Sequence, residues 1–469
     1  DVRYNMIQWV HRSTRGWSYG ASVQDPRTGE IIKGHVSLGS LRVRQDFMIA
    51  VGLINAYRNG NLPDPDAEAM ALARLRQLAA HEVGHTIGLA HNFAASVSDR
   101  ASVMDYPHPK ITLKNDAIDF SEAYASGIGA WDKVTVAYSY SDIPENQLEK
   151  NYLSNLLTAA FSKGLYYISD ADARPQGGAN AKAHLWDNGA SATEELKNVL
   201  AVRKKAIENF SIDNIKNGEP LSKLEDVFVP LYFYHRYQTE AVIKLIGGLD
   251  YTYAVKGDSG IAVQIISKKE QEAALDEILQ TLSINTLKIP HRILKLFPPR
   301  AMGYERTRES FKSNTNVAFN SLGAVATASD LTLKLLLNPE RANRLIEQHA
   351  ISNANMSLNE VLAKLISHSF DLKVKTSYEK EIAHTLQYIT LQNLMNLIAA
   401  DQASPQVKSV VNEALDDLFT SLKSDKSTFN NQLIRELISF RKYPEKFDVY
   451  KVSKIPDGSP IGSAPCFMN

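Results

Sequence analysis

The chain of 469 residues contains one cysteine, Cys466, near its C-terminal end. No disulfide can form within the chain, and a closed zinc site built from thiolates is excluded because such a site needs several cysteines. One thiol cannot decide the redox compartment either. At this length we expect two domains, or one domain with a large extension.

Long hydrophobic runs and an excess of either charge are also lacking. No stretch approaches the roughly 18 uninterrupted apolar residues of a membrane-spanning helix, so we expect no membrane span. The 52 basic and 52 acidic side chains cancel, which leaves no general electrostatic reason to bind nucleic acid. Asp1 opens directly into folded-looking sequence instead of a signal peptide, so we expect a mature or trimmed fragment.

The first 44 residues favour β-structure. The run from Asp1 to Val10 alternates loosely and is rich in β-forming residues. The segment from Gly16 to Gly39 predicts two strands joined by a turn at residues 25–29. We therefore expect a small antiparallel or mixed sheet whose last strand, residues 30–39, lies at an edge.

Two helices are expected next, the first over residues 46–57. The second is predicted more strongly, because Asp64 can cap it, Pro65 suits its first turn, and acidic residues follow at its positive end. It should end at Gly88, since glycine accepts a left-handed backbone without a clash.

Beyond about Pro144 the pattern changes to long helices separated by polar loops. A β interruption is expected at residues 250–267, and Asn338-Pro339 is typical of a helix start. The fold class is therefore α+β, with residues 1–145, 146–447 and 448–469 as a first domain, a mostly helical domain and an irregular tail. The predicted helices are 147–167, 192–210, 221–246, 269–282, 358–370, 378–400, 406–422 and 429–440.

The segment HEVGHTIGLAHN, which begins at His81, has the spacing of a metal site. Residues four apart on a helix point the same way, so His81 and His85 can meet one ion, and the turn at Gly88 can bring back His91. Three neutral imidazoles with one open position are typical of catalytic zinc. Glu82 lies beside this face, where it can hold a zinc-bound water and transfer its proton.

The alternative is that these are scattered surface or core histidines. With twelve histidines and 24 glycines in the chain, a chance match to the full five-position pattern is rarer than roughly one in ten thousand chains. We therefore predict a Zn²⁺ site.

HEVGHTIGLAH matches the extended signature H-E-x-x-H-x-x-G-x-x-H of the metzincins, and the chain resembles this clan. The resemblance implies that Met104, in ASVMDYP, belongs to the methionine turn that floors the metal site without ligating zinc. It also implies that Tyr106 approaches the zinc and stabilises a tetrahedral oxyanion, as in astacin-like and serralysin-like members. Otherwise Tyr106 is a buried aromatic residue near the site.

The wider pattern resembles a family of large bacterial zinc-dependent metalloproteases with a met-zincin domain, and the resemblance covers most of the chain. It implies a metzincin-like catalytic domain in residues 1–145 and a secreted, periplasmic or cell-surface protein. Two features depart from metzincins: Asn92 stands where astacins have glutamate, and we expect a strand and a helix before the first strand to be missing. The segments that carry this resemblance are DPRTGEII, VMDYP, GIGAWDKVTVAYSY, YISDADARPQG and HLWDNGA.

Other polar residues are weaker candidates. His108, between two prolines, is expected in a surface loop. On the expected edge strand, the backbone of His35 matters more than its ring if substrate binds by β-augmentation. Asp170, Asp172, His184 and Asp187 can bind calcium or line the cleft, but they match no EF-hand spacing and we favour a structural role. The remaining histidines considered, expected to be ordinary surface or core groups, are His235, His291, His349, His368 and His384.

The sequence therefore predicts a zinc-dependent endopeptidase that acts on a protein or peptide. A catalytically inactive binding protein with a metzincin fold and a narrow-specificity exopeptidase stay open as alternatives. The sequence does not specify the preferred substrate or the oligomeric state.

Overall fold

The structure, a computed structural model, describes residues 3–11, 18–258, 260–425 and 427–458. The ends of two predicted strand segments, residues 1–2 and 16–17, lie outside these ranges. So do residues 459–469 of the predicted tail, with Cys466.

Three strands form the N-terminal sheet: β1 (Met6–Val10), β2 (Tyr19–Gln24) and β3 (Ile31–Gly39). Strand β3 lies in the middle, parallel to β1 and antiparallel to β2. The sheet is therefore mixed, and the predicted edge position for β3 is wrong, because the first strand pairs with the free side of β3. Among the described residues, β1 and β2 form the edges of this sheet.

The sheet leads directly into helix α1 (Ser40–Leu53), and α2 (Pro65–Thr86) packs against both. Helix α1 begins and ends earlier than predicted. It ends at Leu53 because Ile54 already has extended backbone angles. Helix α2 begins as predicted: Asp64 accepts a hydrogen bond from the backbone N–H of Asp66, and Pro65 occupies the first turn. It ends before Gly88, whose φ of 86° is left-handed.

The rest of the described chain is mainly helical, with two short antiparallel strand pairs. These pairs are β4 (Thr112–Lys114) with β5 (Ala117–Asp119), and β6 (Leu249–Asp250) with β7 (Gln264–Ile265). The helices are α3 (Ala130–Tyr140), α4 (Glu149–Phe161), α5 (Asp170–Ala173), α6 (Ala192–Asn209), α7 (Leu224–Tyr232), α8 (Arg236–Ile243), α9 (Lys268–Gln280), α10 (Ile284–Leu287), α11 (His291–Leu294), α12 (Ser321–Leu336), α13 (Pro339–Ile351), α14 (Leu358–Phe370), α15 (Ser377–Ala399), α16 (Pro405–Ser424) and α17 (Thr428–Lys442).

Most predicted helices are confirmed to within two residues at each end, as in α6, α9 and α14 to α17. The predicted helix 221–246 is instead α7 and α8, separated by a turn. Nearly every residue of this segment is buried, so no polar face marks the break in the sequence. Helix α4 ends at Phe161 instead of Tyr167, before Gly164 with a φ of 72°.

The largest apolar core joins side chains from Ile49 in α1 to Phe440 in α17. Helix α1 packs against α6 and α7, so this core connects the sheet-bearing part to the helices. The α+β class is confirmed, whereas the domain boundary at residue 145 stays a prediction. Along the described ranges, no helix combines the length and the apolar character needed to cross a membrane.

Candidate metal centre

The three predicted histidines converge. His81 and His85 lie one turn apart on α2, and the left-handed turn at Gly88 returns the chain so that His91 faces them. The Nε2 atom of His85 lies 3.1 Å from that of His81 and 3.2 Å from that of His91. All three rings are buried. Within the described ranges, these histidines are the one group of three ligand-type residues close enough to share an ion.

The Nδ1 atom of each ring already has a partner. Nδ1 of His81 lies 2.7 Å from the carbonyl oxygen of Val103, and Nδ1 of His85 lies 2.9 Å from that of Leu89. A carbonyl oxygen can only accept, so both Nδ1 atoms carry the proton and donate it. Nδ1 of His91 donates in the same way to a carboxylate oxygen of Asp170, at 2.8 Å.

This bonding leaves the Nε2 lone pairs of the three rings facing one another. Lone pairs at 3.1–3.2 Å repel unless a cation lies between them. Two nitrogens that ligate tetrahedral zinc at 2.0–2.1 Å are about 3.3 Å apart, so the spacing fits this ion. Burial, with the neighbouring His85 and His91, holds the pKa of His81 well below its ordinary value. The His81 ring is therefore neutral, as metal ligation requires.

Met104 lies directly against α2, next to the candidate ligands. Its side chain is buried, and a Cβ added at Gly84, between His81 and His85 on α2, would lie 2.3 Å from the methionine sulfur. Glycine at position 84 therefore allows the helix to approach the methionine turn closely. Met104 supports the helix from below, next to the two histidines.

A buried carboxylate, Asp132 of α3, holds the turn that carries Met104. Its oxygens accept hydrogen bonds from the backbone N–H of Val103 at 2.8 Å and from the hydroxyl of Ser102 at 2.5 Å. The carbonyl of Val103 is the partner of His81. Asp132 thus positions His81 through a single residue, Val103. Asp132 lies in the segment GIGAWDKVTVAYSY, and nothing in its sequence pattern indicated this role.

Glu82 is buried on α2 next to His81. Strand β2 packs directly on this part of the helix, because a Cβ added at Gly20 would lie only 1.9 Å from the carbonyl oxygen of Glu82. An edge strand therefore passes over the backbone of the candidate base.

Tyr106 lies beside the histidines, within an aromatic stack. Its ring centroid is 4.8 Å from that of His91 and 4.9 Å from that of Trp186, with which it is stacked. The hydroxyl of Tyr106 accepts a long hydrogen bond, 3.4 Å, from Nη2 of Arg174. Trp186 has a φ of 67°, an uncommon conformation for a bulky residue that is often found at functional sites. Neither Trp186 nor Arg174 was identified from the sequence.

Asp170, the first residue of α5, contacts both His91 and Arg174. Burial alone would raise its pKa, but hydrogen bonds from His91 and Arg174 outweigh burial and lower the pKa to about 2. Asp170 is therefore ionised at neutral pH.

Asn92, which replaces the glutamate of astacins, ties three segments together. Its backbone N–H donates to the carbonyl of Met104, its side-chain amide donates to the carbonyl of Tyr166, and its side-chain oxygen accepts from the N–H of Ile168. The side chain is fully buried. Asn92 fixes the segment after the third histidine against the segment that carries Asp170.

The prediction that His108 lies in a surface loop is wrong. Its side chain is buried against the rings of Tyr234 and Tyr237. Burial, with a smaller effect from Arg236, lowers its pKa to about 3. The flanking prolines shape the chain here without exposing it, since Tyr234, in the turn between α7 and α8, and Tyr237 of α8 cover the segment.

The structure does not gather the four residues of the second polar cluster around a common point. Asp170 bonds to His91, and Asp172 accepts from the hydroxyls of Tyr251 and Tyr253. Asp187 accepts from Ser96 at 3.0 Å, and burial raises the pKa of Asp187 to about 7. His184 is buried, 3.6 Å from Glu240.

The other histidines are scattered, as expected. His35 lies on the central strand with its ring edge against Tyr19. His235 is buried, and His291 is exposed. The half-buried members are His349, His368 and His384.

Comparison with known proteins agrees with this geometry. A family model described as Met-zincin matches residues 63–377, a segment that contains the three histidines, the methionine turn and Asp170. No curated protein and no solved structure matches the chain. Since the family model covers more than half of the chain, the protein belongs to the Met-zincin family and has the fold of a zinc metallopeptidase.

Proposed function

We propose that the protein is a zinc-dependent endopeptidase in which Glu82 is the general base. The observation that carries this proposal is the convergence of three Nε2 atoms whose rings are fixed by Nδ1 hydrogen bonds. Family membership supports it independently. A zinc ion held by His81, His85 and His91 would lower the pKa of a coordinated water and polarise a carbonyl group.

The chain's own residues then move the proton. The Glu82 carboxylate accepts a proton from the attacking water while the water oxygen forms a bond to the scissile carbonyl carbon. Glu82 next passes this proton to the amide nitrogen as the carbon–nitrogen bond breaks. The products are a carboxylic acid and an amine, so no other reactant is needed.

Tyr106 is the candidate donor to the oxyanion that develops on the carbonyl oxygen. Its ring lies against His91 and His81, at 4.8 and 5.4 Å between centroids. Stacking on Trp186 restricts the ring, and a donor fixed in advance costs little reorganisation during the reaction.

The substrate chain is proposed to lie extended along the outer edge of β2. The predicted place for it, β3, is occupied on both sides, whereas β2 is an edge within the described sheet and Gly20 touches the backbone of Glu82. Backbone hydrogen bonds to an edge strand suit any point within a peptide, which favours endopeptidase activity.

Replacement of the proposed base tests this function. Glu82→Ala should lower kcat on a quenched peptide or casein by at least about two orders of magnitude, because general base catalysis is lost. Zinc content and the melting temperature should change little. The exposed Glu68→Ala on the same helix is the matched control and should keep normal turnover.

Near-normal cleavage by Glu82→Ala would contradict the assignment of the base. Zinc binding by the wild-type protein without cleavage of any tested peptide would instead favour an inactive binding protein. A peptide blocked at both ends separates the remaining case, because an endopeptidase still cuts it and an exopeptidase does not.

A further inference from the structure

Asp170 is the one carboxylate that bonds to a candidate metal ligand among the contacts described above. It comes from α5, 79 residues beyond His91 in the chain, and its Oδ2 atom lies 2.8 Å from Nδ1 of His91. The corresponding partners of His81 and His85 are backbone carbonyl oxygens. The three ligands are therefore not equivalent, since only His91 donates to an ionic group.

The second oxygen of Asp170 has a different partner. Oδ1 accepts a hydrogen bond from Nε of Arg174, one turn later in the chain. The guanidinium group of Arg174 lies over the rings of Phe93 and Tyr106, at 5.5 and 5.3 Å, and its Nη2 reaches the hydroxyl of Tyr106. One carboxylate thus contacts a ligand with one oxygen and a cation that holds Tyr106 with the other.

The surrounding backbone keeps this carboxylate in place. The N–H of Phe93 donates to the carbonyl of Ile168 at 3.0 Å, and the side chain of Asn92 binds the same segment. Residues just after the third histidine are therefore connected to residues just before Asp170. This arrangement differs from a helix cap or a solvated ion pair, because one oxygen of Asp170 bonds to His91 and the other bonds to Arg174, which reaches Tyr106.

We propose that Asp170 is a positioning residue for the metal centre. It fixes the tautomer and the orientation of the His91 ring and raises the basicity of its Nε2, as carboxylate partners of metal-bound histidines do. Through Arg174 it also sets the hydroxyl of Tyr106. The positioning of His91 concerns metal binding alone, whereas the positioning of Tyr106 rests on the proposed function.

Zinc affinity tests the positioning of His91 by Asp170 without any assay of activity. Asp170→Asn should weaken zinc binding by about 10- to 100-fold in competition with a chromophoric chelator, because the ionic partner of His91 is lost. Asp172→Asn is the matched control: it lies two residues away and accepts hydrogen bonds from Tyr251 and Tyr253. Its zinc affinity should stay within about threefold of the wild type.

The metal-free melting temperature separates positioning from a general loss of structure. Asp170→Asn and Asp172→Asn should have similar metal-free melting temperatures, and Asp170→Glu should recover part of the lost zinc affinity. Equal zinc affinity of wild type and Asp170→Asn would overturn the inference. So would an equal loss of affinity in the Asp172 variant.

A double-mutant cycle tests the link to Tyr106. Arg174→Ala should lower kcat in the wild-type background, and this loss should shrink by at least about fivefold when Tyr106→Phe is already present. An equal loss of kcat from Arg174→Ala in the two backgrounds would overturn the link between Arg174 and Tyr106. If the wild-type protein binds zinc but cleaves nothing, the proposed function fails. The zinc affinity of Asp170→Asn still shows whether Asp170 positions His91.

Discussion

The metal centre and the helical array of α12 to α17 are held together in different ways. At the metal centre, single polar contacts join residues far apart in sequence, such as His91 with Asp170 and Val103 with Asp132. In the array, each helix buries an apolar stripe against other helices: α12 packs on α15, and α16 packs on α13, α14, α15 and α17. The first region depends on the position of a few atoms, the second on the sum of many apolar contacts.

This difference predicts how each region fails. Loss of one apolar side chain in the array lowers the free energy of unfolding without changing any ligand. Loss of one polar contact at the metal centre changes ligand geometry with a smaller effect on stability. The variants below test this separation, from the largest expected change in stability to the smallest.

Leu415→Ala, in the middle of α16, should have the largest effect. Leu415 is fully buried between helices, so its truncation should lower the free energy of unfolding by about 2–5 kcal/mol, measured by urea denaturation. Zinc affinity measured well below the melting temperature should be unchanged. Leu148→Ala, at an exposed leucine, is the control and should change stability by less than about 0.5 kcal/mol. A large loss of zinc affinity in Leu415→Ala would show that the two regions are not separable in this way.

His108 packs on Tyr234 and Tyr237, outside both regions, and its effect on stability depends on pH. Its pKa is about 3 in the folded protein, because of burial, against about 6.5 in the unfolded chain. Between pH 7 and 5 the unfolded chain gains a proton at this residue and the folded protein does not. Acidification should therefore lower the free energy of unfolding, by roughly 2 kcal/mol from this residue at pH 5.

The variant His108→Phe isolates this contribution, because an aromatic ring can still pack on Tyr234 and Tyr237. Its free energy of unfolding should fall less steeply from pH 7 to 5 than that of the wild type, whatever its value at pH 7. Parallel pH dependence of the two proteins would contradict the burial of a neutral imidazole at this position.

Gly88→Ala should have the smallest effect on stability and a specific effect on the metal site. Alanine at a φ of 86° costs about 1 kcal/mol even where space is open. Gly218, with a φ of 85° and open space, is the matched control away from the histidines. Both variants should lose similar stability in urea denaturation, but only Gly88→Ala should weaken zinc binding. Equal zinc affinities would show that the turn at Gly88 does not position His91.

The sequence predicted what depends on local spacing. The three histidines, the cap at Asp64 and the helices of the array follow from patterns within one or two turns, and the structure brings these residues together as expected. Met104 was placed by resemblance to a known motif. In each case, the residues that interact lie close together in sequence or within one recognised motif.

The remaining features depend on contacts that local patterns do not encode. Asp170 appeared in a quoted segment, but nothing in the spacing indicated that its oxygen reaches His91 from 79 residues away. The central position of β3 required knowledge of which strand pairs with its second side. His108 was misplaced because proline neighbours indicate a turn but not what covers that turn.

X-ray absorption spectroscopy of the zinc-loaded protein tests the central claim most directly. Three imidazole nitrogens and one oxygen at about 2.0–2.1 Å from a single, stoichiometric zinc ion are predicted. Fewer than three imidazoles around the zinc, a sulfur ligand, or no zinc retained after dialysis would contradict this account.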